Sequence, residues 1–210
     1  GPPPLQGVSK QRTRVALRGD PTWRGRGSMM RAVVRRFLPP WINAVVDTVK
    51  GSALVSLVGI VDLDAKYGDL ASRIVDGLRP RGYVATDLDP RQLESARGHL
   101  AERYPRGLPH PLELREADML RLPFPDASFD AVIGVVSIHH ASPNHRDPVN
   151  VPQALAEIDR VLRPGGALVY EEILHKDVMR AWLTERGYAL GSIERGFKRE
   201  SVVARKSAGR

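Results

Sequence analysis

The 210-residue chain contains no cysteine. That absence excludes disulfides, thiolate metal sites and a cysteine nucleophile. Long apolar runs are missing too. Stretches such as ALVSLVGIV at 53–61 fall well short of the about 20 residues a membrane-spanning helix needs. Acidic residues are scarce at the front, where residues 1–50 hold ten Lys or Arg against Asp20 and Asp47 alone. The whole chain has 32 basic and 24 acidic residues, so residues 51–210 carry 22 of each sign and the net charge of +8 belongs entirely to the first fifty.

A 42% hydrophobic share is ordinary for a globular protein, and the length suits one domain with an arm. Residues 1–28 contain GPPP, RGD and RGRGS without apolar periodicity, which predicts a flexible basic arm. The domain is expected over 29–206, with a short tail at 207–210. The arginines of residues 12–36 suit RNA or another anionic partner, an Arg-rich presequence leading to an organelle, or a plain solvated tail. Without a presequence the expected location is cytoplasmic.

Apolar patterns alternate in period along the rest. A helical pattern through Met30–Phe37 and Trp41–Val49 precedes a β-like run ending at Asp62. Leu70, Ala71, Ile74, Val75 and Leu78 predict a helix, then YVATDLD (83–89) a strand. Asp89-Pro90 has the chemistry of a helix N-cap, followed by Leu93, Ala96, Leu100 and Tyr104 at helical spacing. LELREADML (112–120) leads from a strand into a loop, and FDAVIGVVSI (129–138) reads as a strand covered on both faces. Val151, Leu155, Ile158 and Leu162 predict a helix ending at Arg163-Pro164-Gly165-Gly166, followed by the strand ALVYEEIL (167–174). A helix over about 176–186 and two final strands in a hairpin complete the series. The expectation is an α/β fold: a doubly wound, mostly parallel seven-stranded sheet with helices on both faces and an antiparallel C-terminal hairpin. Ligands bind such sheets at the carboxyl ends of the strands.

Two stretches, EADMLRLPFPDASFDAV (116–132) and LAEIDRVLRPGGALVYEE (155–172), resemble class I S-adenosylmethionine (SAM)-dependent methyltransferases of the small-molecule type. The resemblance runs over roughly residues 40–206 and implies a Rossmann-like fold with SAM as cofactor. It also implies roles for individual residues. Asp87 would accept the ribose hydroxyls and Leu88 would flank the adenine. Asp118 would receive the adenine amino group, with Met119 beside the ring. The family's first loop, D-x-G-x-G-x-G, falls on Asp62 to Gly68, where Asp64 and Lys66 replace two glycines. Glycine serves there because the backbone turns tightly against the cofactor. In this degenerate loop, Lys66 and Asp64 would either pair with each other or meet the carboxylate and ammonium groups of SAM.

The fourth predicted strand ends in SIHHASPNHRDP. His139 and His140 are the candidate general bases, and His145 shares the pocket mouth. Adjacent histidines at a strand end diverge, so no metal site is expected of them with Asp147. The Asn/Asp-Pro-Pro-Tyr/Phe pattern of exocyclic-nitrogen methylation is absent. Of Glu171 and Glu172, which end the fifth strand, one could face the substrate, although a solvated or capping role is the main expectation. Two functional readings follow: methyl transfer to a small-molecule acceptor, or a non-catalytic methyltransferase-like component of a larger assembly, such as a ribonucleoprotein, held by the basic arm.

Overall fold

The apolar segments become strands and amphipathic helices in alternation. The computed structural model describes residues 53–58, 81–109, 111–195 and 200–209. The basic arm, including residues 12–36, the altered loop from Asp62 through Asp64 and Lys66 to Gly68, and the helices expected before residue 80 lie outside the described residues. The elements are β1 (Ala53–Val58), β2 (Gly82–Asp87), α1 (Pro90–Arg103), β3 (Leu112–Glu116) and β4 (Phe129–Val135). They continue with a 3-10 turn (Ile138–Ala141), α2 (Val151–Val161), β5 (Leu162–Glu172), α3 (Lys176–Glu185), β6 (Ala189–Arg195) and β7 (Glu200–Arg205).

The strands form one mixed sheet in the order β3-β2-β1-β4-β5-β7-β6. The four neighbouring pairs from β3 to β5 are parallel, whereas β7 runs antiparallel to both β5 and β6. The chain steps from β2 to β3 toward one edge and from β4 to β5 toward the other. Right-handed crossovers therefore put α1 and α2 on opposite faces. The order reverses between β1 and β4, and in sheets of this kind ligands bind at the carboxyl ends of the strands at such a point.

Local chemistry explains the element ends. The Asp89 side chain accepts the Arg91 backbone N–H at 2.9 Å and Pro90 takes the first turn, so α1 starts where a capped proline helix can. Leu93, Ala96 and Leu100 turn its apolar stripe inward. On the other face, Val151, Leu155, Ile158 and Val161 of α2 meet Met179 and Leu183 of α3 over Val132, Leu168, Tyr170 and Val202 of the sheet. Truncating Leu155, which is fully enclosed there, would cost about 2–5 kcal/mol.

The two motif stretches are tied to each other. Arg160 Nη1 donates to the Phe124 carbonyl at 2.7 Å and to Asp126, its Nη2 donates to the Leu122 carbonyl at 2.9 Å, and Glu157 accepts the Leu122 N–H at 2.8 Å. Arg163 donates to the Ala127 carbonyl and to both oxygens of Asp130. A Cβ on Gly166 would sit 2.9 Å from the Arg163 carbonyl and 3.0 Å from that of Asp130, so only glycine fits.

Two boundaries differ from the sequence expectation. β5 begins at Leu162, not after the glycines, with a register shift opposite Phe129–Ala131. The fourth strand stops at Val135, because Val136 adopts φ 49° and turns the chain into the 3-10 turn. That conformation is costly for a β-branched residue.

Candidate active site

Strand ends bring two groups of side chains to the carboxyl edge of the sheet. The first lies at β2 and β3. Asp87, the last residue of β2, is buried, and its Oδ1 accepts the Asp89 N–H at 2.8 Å. The next residue, Leu88, is 57% exposed, a large apolar side chain displayed at a strand end. The Asp87 carbonyl accepts the Ala117 N–H at 3.0 Å, which holds the chain leaving β3 beside it. Asp118 follows on the surface, with Oδ1 taken by the Leu120 N–H at 2.8 Å. Its Oδ2 has no partner among the described residues. Met119 is half-buried against the core.

The second group lies at β4 and β5, two strand spacings from β2, or roughly 10 Å. The turn at Val136 directs the N–H groups of Ser137 and Ile138 toward Glu172, whose Oε1 accepts them at 2.8 and 2.6 Å. Glu172 Oε2 lies 2.7 Å from His139 Nδ1. Glu172 is 0% exposed and His139 4%, so this carboxylate–imidazole contact is removed from water. Burying a charge is tolerable only when it is fully hydrogen-bonded, and three N–H donors meet that condition. Its cross-strand neighbour Glu200 is also buried, but Arg180 Nε donates to it at 2.8 Å.

His140 is placed differently. Its Nδ1 is 3.1 Å from His145 Nδ1, and its Nε2 is sealed from solvent without a hydrogen-bond partner. Its ring centroid lies 4.1 Å from that of His139 and 4.3 Å from that of His145. Burial, reinforced by repulsion from His139 and His145, lowers its pKa to about 4. His145 is exposed, and its carbonyl meets His175 Nε2 at 2.7 Å, which links the loop after β4 to the start of α3.

The expected residues thus divide. Asp87, Leu88, Asp118 and Met119 lie at the ends of β2 and β3, and His139 and His140 follow the end of β4. Glu171 and Glu172, expected in solvent or as caps, are instead buried, with Ser201 Oγ donating to Glu171 at 3.3 Å. Sequence reasoning named Glu172 but did not foresee its contact with His139. The available signal was a pair of consecutive acids ending an apolar strand, which must point to opposite faces.

A methyltransferase-domain family matches residues 67–170. Among curated proteins, 2-phytyl-1,4-naphtoquinone methyltransferase of Nostoc punctiforme is 36% identical over 118 residues, 56% of this chain and 47% of the relative. Phthiotriol/phenolphthiotriol dimycocerosates methyltransferase of Mycobacterium leprae is 32% identical over 123 residues, 59% of this chain and 40% of the relative. The chain therefore spans less than half the length of these relatives. A SAM-dependent methyltransferase from Aquifex aeolicus superposes with a TM-score of 0.64 at 17% identity, over 90% of this chain and 99% of its own. The [4+2]-cyclase SpnF superposes at 0.61 with 18% identity, over 80% of each. At such identities the likeness concerns the fold, which hosts more than one chemistry. Taken with the two linked motifs and the strand order, the family and sequence matches support a place for the chain in the class I SAM-dependent methyltransferase superfamily.

Proposed function

We propose that this chain transfers a methyl group from SAM to a small-molecule acceptor that loses a proton in the reaction, such as a hydroquinone, phenol or enol. The cofactor is SAM, which when bound supplies a methyl group on a positively charged sulfur. The residues at β2 and β3 suit its nucleoside half. Asp87 offers a buried carboxylate for paired hydroxyls, Leu88 and Met119 offer apolar surface for a purine, and Asp118 Oδ2 is available to an amino group. Asp62, Asp64, Lys66 and Gly68 would meet the amino-acid half, Lys66 at its carboxylate and Asp64 at its ammonium group.

The observation that carries this reading is the placement of an acceptor-rich, partly apolar shelf at β2–β3 on the same carboxyl edge of the sheet as the imidazoles after β4. Methyl transfer needs alignment above all, and a base where the acceptor is acidic. The relatives named above for 2-phytyl-1,4-naphtoquinone and for phthiotriol/phenolphthiotriol dimycocerosates support a small-molecule acceptor.

The test is incubation with methyl-labelled SAM and a set of acceptors comprising a naphthohydroquinone, a simple phenol and a primary amine. Label is expected in the hydroquinone or phenol and not in the amine. A protein that takes up SAM yet labels none of them contradicts the reading.

A further inference from the structure

We propose that Glu172 is the positioning residue of the proton-transfer step, fixing His139 as the tautomer whose Nε2 is the base and leaving His140 outside that role. This rests on the methyl-transfer reading above. A carboxylate only accepts hydrogen bonds. Oε1 of Glu172 is filled by the N–H groups of Ser137 and Ile138, so the proton between Oε2 and His139 belongs to Nδ1. A neutral imidazole with hydrogen on Nδ1 keeps its lone pair on Nε2. His139 Nε2 has no partner among the described residues and, unlike His140 Nε2, is not sealed from solvent.

The surroundings favour the same nitrogen. His139 faces Glu172 from β5, His140 beside it, and His145 from the loop at 5.9 Å between ring centroids. Behind Glu172 stand Tyr170 on the same strand and the Glu200–Arg180 pair from β7 and α3. Glu172 is therefore the anion that meets the imidazolium. The acceptor gives one proton to Nε2 and keeps the electron pair. That pair forms the new bond to the methyl carbon, while the sulfur–carbon pair stays on sulfur. Positive charge leaves sulfur and appears on His139, 2.7 Å from Glu172. His140 has one nitrogen committed to His145 and the other walled in.

Glu172→Gln separates positioning from packing, because the side chain keeps its size but has one acceptor oxygen. The two backbone N–H groups hold that oxygen, so the amide NH2 turns to His139 Nδ1 and forces hydrogen onto Nε2. Nitrogen-15 NMR of the cofactor-free protein at alkaline pH is expected to show Nδ1–H in the wild type and Nε2–H in Glu172→Gln. With SAM and a hydroquinone acceptor, kcat of Glu172→Gln should fall roughly a hundredfold to ten-thousandfold while the acceptor KM moves less than about threefold. His139→Asn should lose at least about ten times more rate than His140→Asn. The wild-type tautomer needs no variant, so the assignment stands open to test even if Glu172→Gln does not fold. Nε2–H in the wild type, an unchanged tautomer in Glu172→Gln, or a His140 variant as impaired as the His139 one would overturn it. A wild type with the expected tautomer but no turnover on any acceptor would overturn the methyl-transfer reading and the base role, leaving the Glu172 tautomer lock intact.

Discussion

Arg160 Nη1 donates to the main-chain carbonyl of Phe124 at 2.7 Å, 36 residues away in sequence. This contact locks the loop before β4 to α2, and β4 carries the 3-10 turn with His139. Removing the guanidinium strands the Phe124 and Leu122 carbonyls at a site only partly open to water, each at about 1–3 kcal/mol. Arg160→Met should therefore lower stability by about 2–4 kcal/mol. In urea unfolding the midpoint should fall with little change in slope. Arg160→Lys should recover only part of the loss, because an ammonium cannot reproduce the planar fork.

Gly166→Ala should destabilise by about 1–3 kcal/mol, since its Cβ would press on two backbone carbonyls that cannot rotate away. Gly82→Ala, with nothing within 4 Å of the added atom, serves as the comparison and should be near neutral. Equal thermal shifts for the two would show that the approach at Gly166 relaxes freely.

His140 makes stability depend on acidity. Its pKa falls from 6.5 in the unfolded chain to about 4 in the folded protein, first through burial and then through His139 and His145. A group with a depressed folded pKa contributes stability above its unfolded pKa and loses it as pH falls through the folded one. The unfolded chain binds the extra proton between pH 6.5 and about 4, so stability should decline across that window. The slope from this group should reach at most roughly 1.4 kcal/mol per pH unit. His140→Gln should flatten it in unfolding curves taken from pH 7 to 4. A variant as acid-sensitive as the wild type would assign the decline to other groups.

Much of the fold was legible because local and distant signals agreed. Asp89-Pro90 announced the start of α1, and the cap is there. The stretches 116–132 and 155–172 proved to be two halves of one hydrogen-bonded junction, which is why they are recognisable together. The strand ends were less legible. VVSI continues the apolar run of β4, and nothing local signals that Val136 will turn, because what holds the turn is Glu172, 35 residues after Ser137. The burial of Glu172 against His139 was not legible for the same reason. An acid beside another acid reads as solvated, and its three donors lie on another strand's end. His139 and His140 were visible as a pair of candidate bases, but only their different partners distinguish them.

Under the proposed function, Asp87 and Asp118 hold the nucleoside half of SAM although Asp64 and Lys66 replace two glycines in the sequence of the first loop. Calorimetric titration of SAM, and of its demethylated product, into the whole chain tests it directly. Micromolar binding is expected of the unaltered protein, weakened roughly ten- to hundredfold by Asp87→Ala through loss of charge-assisted hydrogen bonds. Binding that appears only after Asp64→Gly and Lys66→Gly are introduced together, or that ignores Asp87→Ala, would contradict it.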